Sequence, residues 1–274
     1  LTNGHPGRPL KTNMSDFLQI DREGPIAIVT MNRPETRNAL SDDDVASAFV
    51  ACCEAMNSDL SVRVMILTGA GPAFSSGGNL KTIRDTMGSG LGEPSMSRYA
   101  YRDSIQRIPL ALYNLEVPVI AAVNGPAYGA GNDLTCMCDI RIAGERAVFA
   151  ESFVKLGLTP GDGGAWLLPR VVGMSRACEM SFTGDPINAQ QALAWGMVSR
   201  VVPDAELMPA ALELARRIAV NSGPALRMTK RLIREGQHTR LDTLLEMSAA
   251  FQALAHHTAE HDSALDSALQ RLSK

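Results

Sequence analysis

The chain has 274 residues, 45% of them hydrophobic, and a formal net charge of -3. That is enough apolar material for a large core in one or two domains. The balanced charge, without a long basic or acidic run, argues against nucleic acid as a main partner, and no apolar run approaches the roughly 20 residues needed to span a membrane.

Five cysteines, an odd number, and no N-terminal signal pattern point to reduced thiols and a cytoplasmic location. No histidine stands between His5 and His238, so a Ser-His-Asp or Cys-His device would have to borrow one from the tail. Cys136-x-Cys138 has no nearby His and reads as core rather than a metal site.

In chain order, residues 1–13 are polar and rich in Gly and Pro, and read as disordered or vector-derived, with Met14 as a natural start. Phe17 to Ile20 and Ile26 to Met31 read as strands around Asp21-Arg22-Glu23-Gly24. Asn32 to Asn38 is a polar loop. Ser41 with Asp44 forms a predicted capping box, aided by Asp42 and Asp43, ahead of a helix through Val45, Phe49 and Met56. Val62 to Thr68 is the next strand, followed by the glycine-rich stretch Gly69 to Lys81, whose Gly77-Gly78 lets a backbone N–H face a ligand. Residues 86–97 read as a mobile loop before a helix over 97–114.

Val117 to Ile142 reads strand, glycine turn, helix, strand. Val119 to Val123 is apolar without alternation, as expected of a strand covered on both faces. Gly129-Ala130-Gly131 then opens a helix whose first N–H groups are unpaired and partly positive. Such a turn can hold an anion, or an oxygen that becomes anionic during a reaction. It can equally be a tight packing turn. A dinucleotide fingerprint is disfavoured because the third glycine of G-x-G-x-x-G is missing. Asp133 is the carboxylate of that first turn.

A strand near 147–150 and a third glycine loop, Thr159 to Gly164, come next. Short helices are predicted around 164–168, 175–182 and 189–195, then a strand over 198–202. Pro203 marks an expected boundary between a domain over 14–203 and a helical region over 204–274, with helices at about 205–221, 224–235, 241–255 and 260–272. Leu241, Leu244, Leu245, Met247, Phe251 and Leu254 give one of these a broad apolar face that needs a cover.

Six stretches, taken together, resemble the enoyl-CoA hydratase/isomerase (crotonase) superfamily from about Phe17 to the end. They are Asn32 to Leu40, Leu67 to Lys81, Pro118 to Leu134, Cys138 to Ala143, Leu156 to Gly164 and Leu193 to Val202. The resemblance implies an α/β crotonase (ClpP-like) spiral of strand–strand–helix turns, with a helical C-terminal region used for assembly into a homotrimer or homohexamer. It implies an acyl-CoA thioester as substrate and no separate cofactor, coenzyme A being part of the substrate.

The resemblance also assigns roles. The N–H groups of Gly78 and Ala130 correspond to the pair that holds the thioester enolate oxygen, although the family usually has Gly where Ala130 stands. The loop containing Arg33, Arg37 and Ala39 corresponds to the one along the pantetheine and nucleotide, and Lys81 stands near the phosphates. Ser76, Gly77, Asn79 and Leu80 around Gly78, Gly129 beside Ala130, and Phe153 complete the expected substrate-binding set. The family's first catalytic glutamate maps onto Asp133. The second maps onto Phe153, which cannot move a proton. Asp162 and Glu151 are the carboxylates that could substitute, and an ordinary surface role is favoured for Glu151. Asp133, at a helix start, is expected to be ionised and to act as a base. A shift of a proton between C2 and C4 needs only one acid/base group, whereas hydration must also orient water. Isomerisation or atypical hydration therefore fits best. A thioester hydrolase, a decarboxylase or a non-catalytic acyl-CoA binder are the alternatives.

Overall fold

The structure is a computed structural model that describes residues 15–41, 43–82, 84 and 94–273. The expectations for residues 1–13, for Asp42 and for the loop over 86–93 lie outside the described residues.

Six strands form the main sheet, in the order β1 (Leu18–Glu23), β2 (Ile26–Met31), β3 (Val64–Gly69), β4 (Val119–Val123), β6 (Ile140–Gly144) and β9 (Arg200–Val202). The hairpin β1–β2 is antiparallel and every later neighbour is parallel. A second sheet joins β5 (Ala127–Tyr128), β7 (Val148–Ala150) and β8 (Ile187–Asn188). The chain is thus an α/β fold with a mixed sheet and a helical C-terminal region.

Every residue of β3 and β4 is buried. The absence of alternation has a simple cause, because both faces are covered. Met65, Leu67, Val119, Ala121 and Val123 face the larger core with Phe49, Met56 and Leu134. Val64, Ile66, Ile120 and Ala122 face the helix Leu207–Ala219. That helix presents Leu207, Ala211, Ala215 and Ala219, spaced four apart, so its small side chains bring its axis close to the sheet. It therefore packs as an outer layer of the sheet, although it lies beyond the expected boundary at Pro203.

The next helix, Gly223–Glu235, is also tied to the body. Lys230 is buried and donates to the Val117 carbonyl at 2.7 Å while pairing with Asp139 at 2.7 Å. Arg227 donates to the carbonyls of Met56 and Asp59, and Arg234 pairs with Asp139. Asp139 in turn accepts from the Val119 N–H at 2.7 Å. These charges hold the first residues of β4, the strand that leads into the glycine turn. Burial pushes the Lys230 ammonium down to about 8 against the pull of Asp139.

Two local expectations are corrected. The helix expected over 97–114 is two helices, Pro94–Asp103 and Arg107–Tyr113. Pro109 has no N–H to donate, so it suits the first turn of a new helix and not the interior of a long one. The Ser41–Asp44 capping box does not form. The Ser41 hydroxyl accepts from the Asn79 N–H at 2.6 Å, and the Asp44 carboxylate holds the Arg33 guanidinium.

Candidate active site

The glycine loop after β3 and the glycine turn after β4 are pressed together. Ser75 bridges to Ala127, and the Tyr128 N–H donates to Ser75 O at 3.0 Å. Gly77 (φ +73°) and Gly131 are needed at the contact. A Cβ on Gly77 would collide with the Tyr128 carbonyl and lie 3.0 Å from the Ala130 nitrogen, and one on Gly131 would run into Ser75 O. The backbones around Gly78 and Ala130 are thereby brought side by side. Among the described residues, neither the Gly78 nor the Ala130 N–H has an acceptor within the chain.

The loop over 33–41 braces this arrangement. Asn38 is fully buried in the left-handed region (φ +55°), where its side chain can turn back on local backbone. Its amide donates to the carbonyls of Ala70, Ala73 and Phe74, and its oxygen accepts from the Arg33 N–H. Ser76 N–H donates to Arg37 O at 2.8 Å, and Leu40 N–H to Gly77 O at 2.8 Å. Of the expected substrate-binding residues, Ala39, Gly77 and Gly129 are buried, while Arg37, Leu80 and Lys81 are exposed. Ser76 and Asn79 are half-buried beside Gly78. The Arg33 guanidinium is engaged by Asp44 and lies over the Phe17 ring at 5.2 Å.

Asp133 is the fourth residue of the helix Ala130–Met137 and is fully buried. Its N–H bonds Gly129 O at 3.0 Å. Two further carboxyls meet it. Glu151 follows β7, and the β5–β7 register pairs Tyr128 with Ala150, so Gly129 and Glu151 emerge as neighbours. The Gly129 N–H donates to Ala150 O at 2.8 Å. Asp162 comes from the loop before the helix Gly164–Val172. Glu151 is 1% and Asp162 3% exposed, and for Glu151 this corrects the expectation of a surface carboxylate. Gly164 sits at the junction. A Cβ there would lie 2.5 Å from Glu151 Oε1 and from Asp133 Oδ2, and closer still to Asp133 Oδ1.

The electrostatics follow from this gathering. Among the described residues none of the three carboxyls is in an ion pair. Both oxygens of Asp133, Oε1 of Glu151, Oδ1 of Asp162 and Oδ1 of Asn132 are buried, and no N–H or O–H donor of the described residues reaches them. Asn132 donates to Glu151 Oε2 at 2.8 Å. Burial, then the charges of Asp162 and Glu151, raise the Asp133 carboxyl well above the usual carboxylate range. Burial pushes Glu151 up to about 7 against hydrogen bonds from Asp133 and Asn132, and burial raises Asp162 as well. The expectation of an ionised Asp133 is therefore corrected. A helix N-terminus stabilises a carboxylate by about 0.3–1 kcal/mol, too little against full burial beside two like charges.

Phe153, in the 3-10 turn Ser152–Leu156, packs against the core. Its ring edge lies 3.6 Å from where a Cβ on Gly129 would stand. The position mapped to a second glutamate is thus an apolar wall beside the glycine turn. Sequence reasoning missed Asn132 and Gly164 and undervalued Glu151. The available signal was the placement of Glu151 directly after the short strand β7, which pairs with the strand entering the turn.

A profile of the family Enoyl-CoA hydratase/isomerase matches residues 21–271, and the chain belongs to that family. It is an enzyme of the enoyl-CoA hydratase/isomerase type. Among its relatives, the 1,2-epoxyphenylacetyl-CoA isomerase of Escherichia coli K12 is 36% identical over 248 residues, covering 90% of this chain and 93% of that protein. The short-chain-enoyl-CoA hydratase of Clostridium acetobutylicum is 39% identical over 228 residues, covering 82% and 84%. An enoyl-CoA hydratase structure from Bacillus anthracis superposes with a TM-score of 0.85 at 33% identity, covering 93% of this chain and 96% of that one. These names include both an isomerase and hydratases, so kinship alone does not choose between the two reactions.

Proposed function

We infer that this enzyme shifts the double bond of an enoyl-CoA by moving a proton between C2 and C4 of the acyl chain. The observation that carries the reading is the convergence of Asp133, Glu151 and Asp162 beside the paired glycine turns. In this reading the thioester oxygen rests between the N–H groups of Gly78 and Ala130. A carboxylate of the Asp133–Asp162 pair takes a proton from C2, and the electron pair of the broken C–H bond delocalises onto the thioester oxygen. The same proton, or the one held by the partner carboxyl, is delivered to C4. Two carboxyls that cannot both ionise easily suit this exchange, since one holds a proton while the other accepts one.

Hydration is the second reading, because two carboxyls at one point can also orient a water molecule. Phe153 disfavours it, since a phenyl ring offers water no hydrogen bond where a second glutamate is expected. Arg37 and Lys81, both exposed beside the Gly78 loop, suit the anionic nucleotide end of coenzyme A. The apolar helices at the C-terminus suit a homotrimer or homohexamer, and the buried free thiols suit the cytoplasm. Among the described residues no helix is long and apolar enough to cross a membrane.

The test is turnover of a panel of 2-enoyl-, 3-enoyl- and 3-hydroxyacyl-CoA thioesters by the purified enzyme, followed by absorbance and mass spectrometry. Interconversion of 2- and 3-enoyl thioesters without change of mass is expected. Gain of one water as the main product favours the second reading, and release of free coenzyme A or loss of carbon dioxide overturns both.

A further inference from the structure

The buried cluster holds more acceptors than the pair used above. Glu151 is gripped through Oε2 by Asn132, at 2.8 Å, and turns Oε1 toward Asp133 and Gly164. That oxygen, both oxygens of Asp133 and Oδ1 of Asp162 are closed to solvent and, among the described residues, have no donor unless a carboxyl itself carries a proton. Protons shared between the carboxyls relieve such an arrangement. We propose that Glu151 is a positioning residue that accepts a hydrogen bond from the Asp133 O–H and so fixes which Asp133 oxygen is left to face the substrate. The proposal rests on the reading of Asp133 and Asp162 as the proton-moving pair.

The geometry gives Glu151 little freedom to do otherwise. Its helix-side neighbours are Asp133, Asn132 and Cys136, and Asp162 faces it from the loop before Gly164. The Cys136 thiol is buried and pushed up to about 11, so it is neutral beside the cluster. Arg141, the cation acting on Cys136, is bonded to the carbonyls of Thr135, Cys138 and Met197. Among the described residues no opposite charge therefore holds Glu151 ionised at low pH. Burial places its titration near neutrality. Once ionised, it draws the Asp133 hydrogen toward itself and raises the basicity of Asp162 by its charge. No net proton enters or leaves: the O–H bond of Asp133 persists and only its direction and acceptor are set.

The experiment compares wild type with Glu151→Gln and Glu151→Asp. Gln keeps the volume and an acceptor for Asn132 but cannot ionise. Wild-type kcat should rise through an inflection at about pH 7. In Glu151→Gln the inflection should vanish and kcat should fall by up to about 100-fold, the scale of a misdirected catalytic group, with KM little changed. Glu151→Asp should restore the inflection. An unchanged pH profile in Glu151→Gln overturns the proposal, whatever happens to kcat, because a merely structural role would lower the rate without reshaping the profile. Infrared difference titration of the substrate-free protein gives a readout independent of turnover. A carboxyl band titrating near neutrality should be lost in Glu151→Gln, and its retention overturns the proposal. If wild type converts none of the thioesters while that band is lost as expected, the isomerase reading has failed and the shared proton has survived.

Discussion

Asn132 donates its side-chain amide to Glu151 across 2.8 Å, and both side chains are closed to solvent. Asn132 precedes Asp133 on the helix, so this one bond ties the carboxylate after β7 to the first turn of the helix after β5. It holds Glu151 against the turn of the helix that carries Asp133. The consequences are open to direct measurement.

Asp133→Asn should lower kcat by about 100- to 10,000-fold with acyl-CoA affinity little changed. The amide keeps the shape of the side chain and removes its ability to exchange a proton. The comparison is made on the best substrate of the thioester panel, alongside an independent binding measurement. Wild-type kcat in a folded variant would remove Asp133 from the chemistry.

The cluster predicts how stability depends on pH. Glu151 has a folded-state pKa of about 7, above the usual carboxylate value, so the folded chain binds more protons than the unfolded chain between these values. Stability from this group is therefore fully present below about pH 4.5 and is lost as pH rises through about 7, by on the order of 3 kcal/mol. The raised Asp133 and Asp162 act in the same direction. Thermal melts between pH 5.5 and 8 should show Tm falling with pH, and Glu151→Gln should flatten the slope. A wild-type Tm that rises over this range would contradict the assignment.

Gly164→Ala adds a methyl where the oxygens of Asp133 and Glu151 already stand. Overpacking of this kind costs about 1–3 kcal/mol. Denaturant unfolding should register that loss, and turnover should fall further than stability because the methyl pushes the two carboxyls apart. Wild-type activity in this variant would place the reacting carboxyl away from Asp133.

Ala130→Pro removes one amide hydrogen at the first position of a helix, where proline is tolerated. If that N–H stabilises the enolate oxygen, the barrier should rise by roughly 3 kcal/mol. Circular dichroism checks that the turn survives, and kcat reports the effect. Full turnover in a correctly folded variant would exclude the Ala130 N–H from the oxyanion site.

The C-terminal helices predict an oligomer. Leu241 is 70%, Leu254 62% and Leu272 83% exposed in the single chain, more apolar surface than isolated helices leave to water without a partner. Multi-angle light scattering should give the mass of a trimer or of two trimers. A stable monomer at micromolar concentration would count against this assembly.

Much of this architecture was legible along the chain. The unbroken apolar run Val119 to Val123 announced a strand covered on both faces, and Gly77-Gly78 and Gly129-Ala130-Gly131 announced places where a backbone can come close. These features are local, set by side-chain volume and allowed backbone angles within a few residues. The meeting of Asp133, Glu151 and Asp162 is of another kind. It depends on the Tyr128–Ala150 register, on the helix that starts at Gly164, and on the burial they jointly create. The sequence placed Asp133 at a helix start and so suggested an ionised base. Only packing could reverse that, because the cost of a buried charge is set by which other charges share its cavity, and chain order does not encode that neighbourhood directly.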